Sequence, residues 1–167
     1  PVAELLGEFY RLGTIRKPEL MNREWACALP AERVAELKSG YEALLAQEAQ
    51  LAARIPAAAQ DAFFEIVGFP ARVLGATGLI FLADREQQRE GEAAAAAAEI
   101  ARRRDFLERQ VTRFNDEVAG GKWKHMMPGL ETKTALDLTK WNSQVRWPWG
   151  EKADFRSPVS TDAPRVW

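Results

Sequence analysis

Residues 30–56, PAERVAELKSGYEALLAQEAQLAARIP, decide the fold. Within them Val34, Leu37, Tyr41, Leu44, Leu51 and Ile55 return at intervals of three and four or their sums, which puts them on one face of a helix. Pro30 precedes the run and Pro56 closes it, since proline has no amide hydrogen with which to continue a helix. The spacing predicts a helix over 31–54. At about 1.5 Å per residue it is roughly 36 Å long and spans the whole domain.

Two further long segments flank this one. From Pro56 to about Gln88, Phe63, Ile66, Val67, Val73, Leu74, Ile80 and Phe81 make an apolar face broader than a surface helix needs. Pro70 sits in its middle and predicts a kink or break there. Gly75 and Gly78 are read as places where a neighbouring helix comes close. They are not a phosphate loop, because no strand precedes them and no Lys-Ser/Thr pair follows. The third segment runs from Gly91 to Val118 along a seam of Ala97, Ile100, Arg104, Leu107, Val111, Phe114 and Val118, and Gly120 and Gly121 cap it. Before the first long helix, Leu5, Leu6, Phe9 and Leu12 mark a short helix that Gly13 ends. Arg16, Lys17 and Pro18 then turn a corner into one or two helical turns. The expected architecture is an all-α antiparallel helical bundle of three long helices and shorter N-terminal ones.

The bundle is expected to occupy residues 1–120. Residues 1–118 carry 15 basic and 19 acidic side chains, residues 119–167 carry 8 and 5, and five of the six tryptophans lie in the second part. Residues 121–167 are therefore read as a mostly non-helical, Trp-rich tail, packed on the bundle or leading to an absent domain. The start at Pro1 suggests an excerpt of a longer chain. A net charge of -1 gives no electrostatic reason to expect nucleic acid or an anionic membrane. No apolar run was expected to approach the roughly 20 residues that span a bilayer, Val73 to Ala83 being about half that. Cys27, the only cysteine, excludes an internal disulfide and is read as a small apolar filler.

The chemistry of an active site is not evident. Glycoside hydrolysis needs two carboxylates facing each other across a sugar, and most acids here lie among basic partners on helix faces. Glu65, between apolar neighbours, is the least ordinary, and a solvent-facing position is expected for it. One histidine and no His-Glu-x-x-His pattern or Ser-centred elbow leave no expected metal or cofactor. The densest string is Gly120-Gly-Lys-Trp-Lys-His-Met-Met127, followed by Trp141 to Trp149. Lys122, Trp123, His125, Trp141 and Trp147 are the candidate substrate-contacting or domain-junction residues. Two readings stay open: Trp123, Met126 and Met127 plug the open end of the bundle, or Trp123 stacks on a sugar or a neighbouring domain with Lys122 or His125 near a carboxylate.

The order of motifs resembles the helical domain of glycoside hydrolase family 115, the xylan alpha-glucuronidases. Leu5-Leu6 through Tyr10-Arg11-Leu12, Arg16 to Glu19, Tyr41 to Leu45, Asp61 to Phe64 with Pro70, and Gly120 to Met127 follow in the family's order. The last is the most specific, because members carry a similar Gly-Lys-Trp-x-His-Met-Met. After Met127 the chain departs from the pattern: Pro128-Gly129-Leu130 stands where many members have Asp-Gln. The resemblance implies a parent enzyme with a catalytic barrel and a beta-sandwich as partner domains, acting on xylan-type polysaccharide outside the cytoplasm, secreted or periplasmic. It also implies a second copy as partner. The family's catalytic acids belong to the barrel, so this chain alone is expected to be inactive. A stand-alone carbohydrate-binding or protein-interaction module is the alternative.

Overall fold

The structure, a computed structural model, describes residues 1–87, 93–124 and 126. Every element among these residues is helical. Helix α1 spans Val2–Ile15, α2 Arg23–Ala28, α3 Ala31–Ala52, α4 Gln60–Phe63, α5 Phe69–Glu86 and α6 Ala93–Thr112. The chain is an all-α bundle, as the periodicity predicted. Of the Trp-rich tail, residues 121–124 and 126 are described; residues 125 and 127–167 lie outside the described residues.

The α5 helix is the axis. It packs most extensively on α6 and α3, and α1 and α2 cover its remaining flank. Contacts run in opposite directions along neighbouring helices: Glu48 meets Arg72 and Lys38 meets Glu86, while Arg72 also meets Gln110 and Phe69 meets Phe114. Both α3 and α6 are thus antiparallel to α5. Asn22 caps α2 by accepting the Trp25 amide hydrogen, and Arg23 holds that helix to α5 through both oxygens of Asp84.

α5 comes close enough to α3 that two side chains must be missing. A Cβ at Gly75 would lie 2.8 Å from Leu45, and one at Gly78 would lie 2.4 Å from the ring of Tyr41. Those distances are well inside van der Waals contact, so the glycines serve helix approach. The helical run from Ala57 to Glu86 is also long and apolar enough, by length and composition, to cross a membrane. This corrects the expectation drawn from uninterrupted apolar runs, which overlooked how little charge interrupts this segment. In the bundle 78% of its apolar window is buried.

Several local expectations are corrected, and one is narrowed. Of the kink or break expected at Pro70, the break does not occur. A π-helical turn at Phe64–Gly68 precedes the proline, and Phe69 donates its amide hydrogen back to the carbonyl of Phe64. The wider turn gives room to a proline ring that would otherwise press on the carbonyl four residues earlier. Gly13 does not end α1, which continues to Ile15. The seam of α6 begins on Ala96, which is buried, and not on Ala97, which is exposed. Glu65 is half-buried, and Cys27, read as a small apolar filler, is exposed.

Two consequences concern α3 against α5. Gly78→Ala should cost about 1–3 kcal/mol by overpacking against Tyr41, although alanine is the better helix former; denaturant midpoints would show it. The Tyr41 hydroxyl is buried without a hydrogen-bond partner, and burial pushes its pKa from 10 up to about 12. A raised pKa favours the protonated form in the fold, so this contribution is full below pH 10 and is lost as pH climbs through about 12. Wild type should therefore lose about 2–3 kcal/mol relative to Tyr41→Phe over that range, the two being similar near neutrality. Parallel stability curves in urea at alkaline pH would contradict this.

Candidate functional site

The end of the bundle where α6 stops gathers the unusual features. A second π-helical turn, Arg113–Glu117, closes α6, with Val118 donating its amide hydrogen to the carbonyl of Arg113. It lies against the first, because the Arg113 guanidinium sits 4.1 Å from the centre of the Phe64 ring. Phe64, Phe69, Val111, Phe114 and Val118 form a core cluster of their own, with Phe69 and Phe114 ring centres 4.7 Å apart. Single π turns often mark functional positions in helices.

From this cluster the chain leaves as a strap, Val118 to Lys124, bent by three consecutive positive φ angles: 51° at Ala119, 67° at Gly120 and 79° at Gly121. Alanine in that conformation costs about 1–2 kcal/mol. Two acids on the facing segment hold the strap down. Ala119 donates its amide hydrogen to Asp61 Oδ2 at 2.9 Å, and the Trp123 indole N–H donates to Glu65 Oε2 at 3.2 Å. Glu65 is thus an anchor for Trp123 and not a solvated carboxylate, a role that its position between Phe64 and Ile66 did not disclose.

The candidates at this end divide. Trp123 packs against the core cluster, and Lys122 Nζ lies 4.5 Å from the centre of its ring. The indole is partly buried against the core, with a cation over its ring and its N–H bound to a carboxylate, the arrangement that a plug of the bundle end would need. Met126 does not share in the plug: it is 57% exposed, although it donates its amide hydrogen to the Trp123 carbonyl. Ile66, beside Glu65, is 70% exposed. His125, Met127, Trp141 and Trp147 lie outside the described residues.

A buried polar bridge adjoins the plug. Arg72 on α5 donates from Nε to Glu48 Oε2 at 2.7 Å and from Nη1 to Gln110 Oε1, while the Gln110 amide donates to the Phe106 carbonyl. One guanidinium therefore ties α3, α5 and α6 together. Glu48 is 1% exposed, and its second oxygen lies over Gly68 without a hydrogen-bond partner. Nothing in the sequence reading singled these residues out. The available signal was Glu48 itself, which follows Val34, Leu37, Tyr41 and Leu44 at the spacing of the buried face.

Elsewhere, α3, α5 and α6 enclose a cleft of about 420 Å³, floored by Leu79 and Leu82 and rimmed by Lys38, Glu86, Glu99 and Arg102. Its volume would admit a small molecule. Four of the charges around it are engaged with neighbours, Lys38 with Glu86 and Glu99 with Arg102 and Arg103, and Glu42 also lines the cleft. Burial pushes the Glu99 carboxyl up, but the hydrogen bonds from Arg103 and Arg102 outweigh it and leave the group below its ordinary value. Among the described residues, no three His, Cys, Asp or Glu side chains gather as metal ligands. Compared with protein-family models, curated proteins and solved structures, the chain matches none.

The strap makes a two-sided prediction. Asp61→Ala should lower stability by about 1 kcal/mol through loss of a charge-assisted hydrogen bond. Ala119→Gly should raise it by about 0.5–1 kcal/mol by removing left-handed strain from a side-chain-bearing residue. Denaturant titration of both variants checks the pair, and a destabilising Ala119→Gly would contradict the bent strap.

Proposed function

We propose that this chain is the accessory helical domain of a multidomain glycoside hydrolase resembling the xylan alpha-1,2-glucuronidases, and that the strap end of the bundle faces a neighbouring domain. One observation carries the reading. The string that bears the most specific resemblance, Gly120 to Met127, begins as a strap at the bundle end, where Ile66 and Met126 leave apolar surface exposed.

Eight of the seventeen described acids are already engaged by cationic side chains or by the strap, which supports a scaffold over a catalyst. Glu8, Glu36, Glu48, Asp84 and Glu99 pair with arginines, Glu86 pairs with a lysine, and Asp61 and Glu65 are occupied by the strap. A carboxylate committed to a cation is poorly placed to act as nucleophile or proton donor at a glycosidic bond. In this reading the catalytic pair lies in a barrel domain of the parent, a beta-sandwich is another neighbour, and xylan reaches the chain only through the parent. A second copy of the parent is a further partner, and the setting is secreted or periplasmic. No cofactor enters the reading.

The test combines gene and protein. The reading frame around this sequence should encode a barrel domain, and the full-length product should release glucuronic acid from glucuronoxylan. The 167-residue chain alone should release none. A frame with no hydrolase domain, or turnover by the purified chain itself, would remove the proposal.

A further inference from the structure

We infer that Glu48 and Arg72 are positioning residues for the strap: their buried bridge to Gln110 fixes the height at which α6 lies along α5, and Trp123 can reach Glu65 only at that height. Neither residue touches the strap. This control is a property of the bundle and does not depend on which domain the strap meets.

A chain of contacts leads from the bridge to the strap. Arg72 binds Glu48 and Gln110 at once, and it is the one charged side chain in the buried stretch from Phe69 to Ala83. The same guanidinium lies 5.3 Å from the centre of the Phe64 ring, which also carries Arg113 at 4.1 Å. Phe64 belongs to the first π turn and Arg113 to the second, so the two turns meet across one ring held by two arginines. Phe64 packs on Phe69 and Phe69 on Phe114, and Val118 and Trp123 complete that cluster. One residue after Phe64, Glu65 receives the indole hydrogen of Trp123.

Apolar contacts alone would not hold this alignment. The buried apolar residues of α6 are few, Ala96, Leu107 and Val111, and apolar contact is non-directional, so it resists sliding of one helix along the other less than a paired charge does. A buried carboxylate such as Glu48 does not tolerate sliding, because any slip leaves it unpaired where little water can reach it. A buried polar group is known to set register in helical assemblies, at a cost in stability. Glu48 fits that description, with one oxygen satisfied and the other pressed over Gly68.

The experiment uses the full 167-residue chain and compares three variants by amide and indole hydrogen exchange. The indole resonance of Trp123 is assigned by its disappearance in Trp123→Phe. In Glu48→Leu with Arg72→Met, the bridge becomes apolar and no charge is left buried. That double variant should keep its helix content while the Trp123 indole and the Ala119 amide exchange at least about tenfold faster, a local opening with the bundle intact. Arg72→Lys keeps the charge but lacks the fork that reaches both partners, and it should free the strap as well. Leu12→Ala weakens the core on the α1 side and should leave strap exchange unchanged relative to the bundle. Strap protection equal to wild type in the double variant would overturn the assignment. So would equal loss of protection in Leu12→Ala, or unfolding of the double variant, since either makes the bridge an ordinary contributor to stability.

Discussion

The contact of α3 with α5 across Gly75 and Gly78 is the constraint from which the rest of the bundle follows. With Leu45 and Tyr41 seated where two Cβ atoms would otherwise stand, the helices come closer than ordinary side chains permit. That closeness allows an apolar helix to be enclosed by so few neighbours. The run from Ala57 to Glu86 must be hidden on nearly every side, and three helices plus one short one accomplish it only because one wall lies almost against its backbone. After Arg72, charges return only where α5 emerges, at Asp84, Arg85 and Glu86, and there they tie the helix to Arg23, the Leu29 carbonyl and Lys38.

Arg72 stands against this pattern, and its surroundings show how a helix interior accommodates a cation. Its Nε meets a carboxylate oxygen, Nη1 meets an amide oxygen, and the Phe64 ring lies nearby. Glu48 is less well served, with one oxygen unpartnered. An apolar pair of similar volume would be as stable or more so, because desolvating both ions costs several kcal/mol that their attraction only partly returns. The bridge is better understood as a source of uniqueness than of stability. It sits where two π turns interlock and where an error in helix height would be propagated into the strap.

Much of this was legible from the residues, and the failures have physical causes. The α3 face was readable because Val34, Leu37, Tyr41, Leu44, Leu51 and Ile55 are all apolar; Glu48, in the seam position between Leu44 and Leu51, was passed over because a charge there looks like a return to solvent. Pro70 predicts a kink or break because the rule assumes an α-helical turn before it, and nothing in Phe64 to Gly68 announces a turn of five. Gly13 lies on α1, where backbone hydrogen bonds on both sides carry the helix through it. The cap at Gly121 was readable, since glycine there is a local requirement. The carboxylates that hold the strap were not. Asp61 and Glu65 act on residues 58 positions away, and only the packing of α6 along α5 brings those distances to hydrogen bonds.

The geometry of Trp123 also limits how the strap end can take part in recognition. An aromatic platform for a sugar needs an accessible ring face, because the attraction comes from apolar C–H surface lying flat against it. Here the indole packs on Phe64, Phe69, Phe114 and their neighbours, Lys122 stands over the ring, and the N–H is committed to Glu65. Freeing the ring would open the bundle end and strand a carboxylate. What the strap end offers is therefore its rim: the cations of Lys122 and Lys124 and the apolar side chains of Ile66 and Met126. Trp123 contributes by holding that rim in place.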